Sequence, residues 1–254
     1  MRGTRILAIA RQDLRVLRTD LMPVVALVVM PLLLTPFLLP AFDEALRVDG
    51  RPAATGAEQA VPGMAVTFGF FLVGNVCFGF FREHAWSTWE RLRASAAGAP
   101  EILLGKMVVP LFEAAVEFVI LFVVGGFLMG LHVHGSWLAL MAVGGCFSLY
   151  LVATGLAVTA LCGTFLQANV IVNITGLVLA GLAGAIVPSS LLPEWAQVIA
   201  PAVPGYWAMQ GYEHAILGQG SILVPVLVLL AFALVFALIA SVRFRIDETK
   251  VGFV

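Results

Sequence analysis

The sequence predicts an all-α polytopic membrane protein with six transmembrane helices. Of its 254 residues 61% are hydrophobic and 11% are charged, whereas a soluble chain carries about a quarter charged residues. About 20 apolar residues are needed to span the hydrocarbon core as a helix. Six runs are long enough: 21–42, 61–82, 105–131, 136–163, 168–187 and 222–243. The polar stretches between them are short, so we expect a single transmembrane domain over residues 1–254.

The orientation of the spans follows from the basic residues. Two lie in the loop 43–60, Arg47 and Arg51, and none lies in 132–135 or 188–221. By the positive-inside rule both termini and the connection between the second and third spans are predicted to be cytoplasmic. The membrane is expected to be a bacterial plasma (inner) membrane. The other twelve basic residues are Arg2, Arg5, Arg11, Arg15, Arg18, Arg82, Arg91, Arg93, Lys106, Arg243, Arg245 and Lys250.

Residues 1–20 predict a basic amphipathic helix ahead of the first span. Apolar residues recur at three- and four-residue spacing, with arginines on the other face. Such a helix is typical of the membrane interface, the alternative being a solvated helical leader. The apolar positions are Ile6, Leu7, Ala10, Leu14, Leu17 and Leu21.

The segment 188–221 is too polar and too rich in proline to cross the membrane. Pro188, Pro193, Pro201 and Pro204 leave room for two short helices. We therefore predict a re-entrant segment that lies on, or dips into, the outer surface. Its aromatic residues suit the headgroup level: Trp195, Tyr206, Trp207 and Tyr212.

Metal and disulfide chemistry is not expected. Cys77, Cys146 and Cys162 fall inside apolar runs, in no spacing that suggests a framework. His132 and His134 share a short loop without a neighbouring Cys or acid, which is typical of a solvated loop.

A charged connection, residues 83–104, separates the second and third spans and leads into Gly105-Lys106. This pair superficially resembles a P-loop, but Pro100 stands at the upstream glycine position and Met107 at the hydroxyl position. We therefore expect no nucleotide site, no catalytic residue and no enzymatic activity in this chain.

Three features resemble the membrane (permease) subunit of an ABC-2-type ABC transporter. The first is the order of elements along the whole chain. The second is the connection, in which Glu90-Arg91-Leu92 and the run 102–106, ILLGK, match the family pattern. The third is the outer segment, in which Leu192-Pro193, Trp195, Pro204 and, shifted by one, Tyr206 match. One departure is the Ser87-Thr88-Trp89 sequence, where the family often has Gly-Thr.

The resemblance implies a type V exporter-like permease that moves a small amphipathic substrate such as a drug, an antibiotic or a lipid-like molecule. ATP and Mg²⁺ would bind a separate ATPase subunit, present in two copies, and no cofactor would bind this chain. A second permease copy or a paralogue completes the implied assembly in the lipid bilayer; no nucleic acid is expected.

The connection is the implied docking site for the ATPase, with a short coupling helix over 83–97. The alternative is that this loop only lies at the interface and its arginines satisfy topology. The implied docking residues are Glu83, Trp89, Glu90, Arg91, Leu92, Arg93, Glu101 and Lys106.

Two carboxylates mark the third span. Glu113 and Glu117 are one turn apart, roughly 12 and 18 Å beyond Gly105. A lipid-facing carboxylate at that depth is costly, so we expect both to face protein or a wet cavity. The two carboxylates either contact a cation or act in gating, or they are a protonated pair that only packs against another span. The sequence leaves these two alternatives open.

The substrate path is implied to run along the second and fifth spans. The second span is rich in phenylalanine around Asn75, although aromatic stripes also occur as simple packing or lipid-facing surface. The predicted path residues are Phe71, Asn75, Phe78, Glu113, Glu117, Asn169 and Asn173.

The rival class is an ATP-independent membrane protein. A polytopic carrier favours inverted repeats, which the two halves do not show. An intramembrane protease needs catalytic partners at membrane depth, and no histidine matches Glu113 and Glu117.

Overall fold

The structure, a computed structural model, describes residues 2–50, 54–245 and 250; Arg51 of the basic-residue count lies outside them. Every regular element within these residues is helical. Two short 3-10 turns, Ser189–Leu191 and Ala200–Ala202, flank α8. The helices are α1 (Arg2–Thr19), α2 (Met22–Val48), α3 (Gly56–Ala85), α4 (Thr88–Arg93), α5 (Ala99–Leu128), α6 (Trp137–Leu161), α7 (Phe165–Leu182), α8 (Glu194–Ile199), α9 (Pro204–Leu217) and α10 (Leu223–Arg243).

Six of these helices are long and apolar enough to cross a membrane: α2, α3, α5, α6, α7 and α10. Each coincides with one of the six predicted runs. The largest differences lie at helix ends, where hydropathy carries little information. The predicted fifth span extends to residue 187, but α7 ends at Leu182, because Gly184 adopts a φ of 79° that no helix continues through.

One end of the bundle carries most of the charge. We call the charged end the surface formed by α1, α4, the first turns of α5 and residues 244–245. Its parts are in contact: α1 packs along α5, and Phe244 after α10 meets Trp89 of α4. The successive spans alternate in direction from this end, so α8 and α9 lie at the opposite end.

Helix α3 is the centre of the bundle. It packs against α2, α5, α6, α7 and α9, and most of its length is buried. Close approach to α6 requires a glycine, because a Cβ on Gly155 would come within 2.6 Å of Val76 Cβ. The peripheral helices α2, α7 and α10 bury only part of their surface and leave broad apolar faces exposed.

Helix α2 runs without interruption through three internal prolines. A single face is buried, at i, i+4 spacing from Leu27 through Pro31 to Thr35, and again at Phe42 and Leu46. The Thr35 hydroxyl donates to the Pro31 carbonyl at 2.6 Å. This helix therefore packs against protein along one face, and its other faces are largely exposed.

The segment expected to lie at the outer surface contains α8 and α9. Helix α9 packs against α6, α10 and α3 and is largely buried. Tyr212, expected at the headgroup level, is 1% exposed and rests on the rings of Phe118 and Phe122. Tyr212 therefore packs inside the bundle, whereas Trp195 of α8 remains exposed, and the headgroup level of these aromatic residues stays a prediction.

Candidate functional site

The connection between α3 and α5 is shorter than the sequence predicts. Helix α3 continues through Glu83 to Ala85, and Ser87 takes a left-handed conformation with a φ of 55°. Helix α4 then spans only Thr88–Arg93, and α5 begins at Ala99. The single helix expected over 83–97 is therefore wrong, because the left-handed residue divides it, and residues 86–98 connect the ends of α3 and α5.

Lys106 joins four elements at the charged end. Its buried Nζ donates to Asp13 Oδ1 of α1 and to Glu83 Oε1 of α3, each at 2.7 Å. The Thr88 hydroxyl at the start of α4 donates to Glu83 Oε2. Burial raises the pKa of the Asp13 carboxyl above its ordinary value, although the neighbouring Lys106 ammonium acts in the opposite direction. This ion-pair cluster connects α1, α3, α4 and α5.

Glu101 organises the start of α5. Its Oε2 accepts a hydrogen bond from the backbone N–H of Gly98 at 2.9 Å, which satisfies a donor at the helix N-terminus. The same oxygen lies 3.3 Å from Arg5 Nη1 of α1. Arg5 also donates to the Ala96 carbonyl at 2.6 Å, so α1 holds the second half of the connection.

Trp89 anchors α4 to the bundle. It is 2% exposed, and its ring stacks on His84 with centroids 4.5 Å apart. The rings of Phe80 and Phe244 complete its surroundings at 6.5 and 5.9 Å. Helix α4 is thus packed onto the end of α3 and onto the segment that follows α10.

The eight predicted docking residues fall into two groups of four. Glu83, Trp89, Glu101 and Lys106 are buried and hold the connection in place. The others point outward: Glu90, Arg91 and Arg93 are exposed, and Leu92 is half-buried. Glu90 and Arg93 form an exposed pair at 3.5 Å. Beside Arg91 and Leu92 a cavity of about 360 Å³ opens between α1 and α4.

Five of the seven predicted path residues share one groove. This groove, which we call the α2–α7 groove, lies between α2, α3 and α7 and has a volume of about 320 Å³. Its polar lining is amide, and Asn173 Nδ2 donates to both the carbonyl and Oδ1 of Asn169 at 2.8 Å. The path residues that line it are Phe71, Asn75, Phe78, Asn169 and Asn173, together with Phe68 and Phe165.

The other two predicted path residues lie outside this groove. Glu113 lines a smaller cavity between α3, α5 and the junction of α1 with α2, which we call the acidic cavity. Asn75 lines both spaces. Glu117 is 4% exposed and lies close enough to interact with Glu113 and with Tyr212 of α9. Both carboxylates therefore face protein, as the cost of exposing them to lipid predicts.

Sequence reasoning missed the partners of the buried docking residues. Asp13 holds Lys106, Arg5 holds Glu101, and Phe244 packs on Trp89. One signal was available: Asp13 is the single acidic residue within the basic stretch 2–19. An isolated acid among arginines indicates a specific partner, but only the packing of α1 on α5 shows which one.

Six helices that can span a membrane, with a charged connection packed against them, define a multi-pass membrane protein. The family model of the ABC-2 type transporter matches residues 6–217, which is most of the chain. The chain belongs to this family, whose membrane proteins are transporter components, not themselves catalytic, and normally pair with an ATPase subunit. No curated protein and no solved structure matches this chain.

Proposed function

We propose that this chain is the permease subunit of an ATP-driven exporter in a bacterial plasma membrane, with both termini cytoplasmic. Two copies of a separate ATPase subunit bind the charged end and hydrolyse ATP with Mg²⁺. A second permease copy or a paralogue completes the assembly. The cargo is a small amphipathic molecule such as a drug, an antibiotic or a lipid-like compound, which makes multidrug efflux or antibiotic resistance its role.

One observation supports the proposal most directly: the exposed, charged helix α4 is firmly packed against the spans. Helix α4 presents Glu90, Arg91 and Arg93 outward, while Trp89 is buried beneath it. Charged groups at a rim set orientation and association rate, and a rigid attachment lets movement of the bound partner reach the membrane. The cluster around Lys106 supplies that attachment, since it ties the start of α4 to α1, α3 and α5.

The α2–α7 groove suits the proposed cargo. Its lining combines phenylalanine rings with a few amides, which is the composition expected for a bulky amphipathic ligand. It is lined by α2 and α7, two of the three spans with the least buried surface, beside which lipid or a second permease copy would lie. Asn173 of α7 is exposed at membrane depth, and a polar group there is better accommodated by protein than by lipid.

The docking proposal is tested by exchanging the charges of one exposed pair. The chain is purified with an affinity tag from its own host, and the copurified ATPase subunit is identified and quantified. The Glu90→Arg, Arg93→Glu double variant keeps an internal pair but inverts the surface pattern, and we expect it to lose most of the associated ATPase.

A matched control is present at the opposite end of the bundle. Glu44 and Arg47 form the same i, i+3 pair at the same 3.5 Å separation. The Glu44→Arg, Arg47→Glu variant should retain the ATPase. If wild type brings down no ATPase, the chain is better explained as an ATP-independent carrier. If the α4 exchange leaves association intact, α4 is not the docking surface.

A further inference from the structure

The acidic cavity adjoins the α2–α7 groove. Pro23, Asn75 and Phe78 line both of them, so the two spaces meet at these side chains. The groove is wide and mostly apolar, whereas the acidic cavity is narrow, at about 50 Å³. A molecule whose body lies in the groove can therefore extend only a small head group past Asn75 toward Glu113.

The acidic cavity has more carboxylates than cations available to pair with them. Asp13, Asp20 and Glu113 line it, with Arg82 and Lys106. Lys106 Nζ is already bound at 2.7 Å by two carboxylates, one of them outside the cavity lining. The Arg82 guanidinium lies over two aromatic rings, 5.5 and 5.2 Å from their centroids.

Glu113 lies in this cavity with Arg82 nearby, but forms no ion pair with it. It is 6% exposed, and within the described residues no ion pair involves it. The Asn75 amide reaches toward its carboxyl, but Nδ2 is not aligned with any acceptor in the part of the chain that the structure describes. One turn further on, the buried Oε1 of Glu117 also has no hydrogen-bond partner there. Buried polar groups are normally satisfied. An acceptor such as Glu117 Oε1 can take a hydrogen bond from an ammonium group, whereas Asn75 Nδ2 is itself a donor and needs an acceptor such as a carboxylate.

We propose that Glu113 binds the cationic head of the transported molecule, and that the cargo is a lipophilic amine whose apolar body lies in the α2–α7 groove. An ammonium group is small enough for the acidic cavity and carries the positive charge and N–H donors that pair with a carboxylate. The phenylalanine rings of the groove accept the aromatic or alkyl body. An anionic head would meet Asp13, Asp20 and Glu113. This inference rests on the proposed export along the groove and adds the charge of the cargo.

Binding of three matched ligands tests the proposal without the ATPase. Radiolabelled 4-phenylbutylammonium is titrated against the chain in nanodiscs, with empty nanodiscs as background, and competed with neutral 4-phenylbutanol and anionic 4-phenylbutyrate. We expect saturable binding of the amine and weak competition by the other two. Absence of saturable binding, or equal competition by the anion, overturns the proposal.

Removal of one charge identifies the site. Glu113→Gln should weaken binding of the amine by at least about tenfold, because a buried charge pair is lost. Glu44→Gln removes an exposed carboxylate on α2 and should leave affinity unchanged. Unchanged affinity in Glu113→Gln overturns the assignment. Because the permease alone is used, a negative result here leaves the ATPase docking proposal standing, and failed copurification leaves this binding result standing.

A measurement on the wild-type chain covers the case in which Glu113→Gln does not fold. Dicyclohexylcarbodiimide modifies carboxyl groups in apolar surroundings, and the modified peptides are quantified by mass spectrometry. We expect Glu113 to be labelled, and 4-phenylbutylammonium to protect it more strongly than 4-phenylbutanol does. Glu113 that remains unlabelled is inaccessible from the groove, and Glu113 that is labelled without protection does not bind the amine; either result contradicts the proposal.

Discussion

At the scale of single residues, the charged end depends on a buried lysine. Lys106 contributes one positive charge, and Asp13 and Glu83 each place an oxygen 2.7 Å from its Nζ. Ion pairs of this kind are expensive to desolvate, and removing one partner costs more than the intact pair contributes, because the remaining charges stay buried. The exposed ion pairs on α2 and α4 carry a much smaller desolvation cost, because their charged groups remain largely in contact with solvent.

We therefore expect Lys106→Met to lower the free energy of unfolding by about 3–5 kcal/mol, because two buried carboxylates lose their cation. Thermal unfolding of the purified chain in detergent measures the change. Arg93→Met is the control, since it breaks a largely exposed pair at 3.5 Å and should shift the melting temperature very little. Equal shifts for the two variants would show that the Lys106 cluster does not hold the charged end together.

At the scale of elements, the position of α1 on α5 depends on one glycine. A Cβ on Gly105 would come within 2.8 Å of both Cβ and Cγ2 of Ile9, so only glycine allows this contact. Gly105 stands directly before Lys106, and the close approach brings Asp13 into reach of the ammonium group. The ILLGK run therefore has a packing explanation in addition to its family resemblance.

Gly105→Leu should push α1 away from α5 and destabilise the chain by about 1–3 kcal/mol through overpacking. Limited trypsin digestion provides the measurement, since Arg11 and Arg15 are exposed on α1 and cleavage there should accelerate once the helix detaches. In Gly145→Leu the added Cβ meets no atom within 4 Å, which makes it a matched control. Unaltered cleavage of the Gly105→Leu chain would mean that α1 does not require this contact.

At the scale of the whole molecule, the distribution of charge predicts orientation. Eleven of the fourteen basic residues lie at or next to the charged end. They are on α1, at the end of α3, on α4, at the start of α5, and at or just after the end of α10. Lys250 follows the last of them in the sequence. From the positive-inside rule we expect this end in the cytoplasm and α8 and α9 outside. The proposed ATPase needs the same orientation, because ATP is available only in the cytoplasm.

Single cysteines test this orientation in intact cells. After replacement of Cys77, Cys146 and Cys162 by alanine, we expect a membrane-impermeant maleimide to label Gln219→Cys from outside. Ser95→Cys, at the charged end, should be labelled only after permeabilisation. Both positions are exposed, so accessibility of the side chain does not limit either reaction. The reverse pattern would contradict both the orientation and the docking proposal.

The sequence by itself determined the number of spans, their order and the asymmetry of charge. Hydropathy over about 20 residues depends on local composition, so the six runs coincide with six helices. Helix ends were less predictable. Helix α4 begins after the left-handed residue Ser87, and the sequence Ser-Thr-Trp does not predict that conformation.

Only the tertiary structure decided which charged residues point outward. Trp89 and Lys106 belong to the same charged stretch as Arg91, yet the first two are buried and the third is exposed. Lys106 meets a partner 93 residues away and another 23 residues away, and Glu113 lies in a cavity that shares Asn75 with the neighbouring groove. Such relations depend on how helices pack side by side, and helix packing is set by contacts between residues distant in the chain.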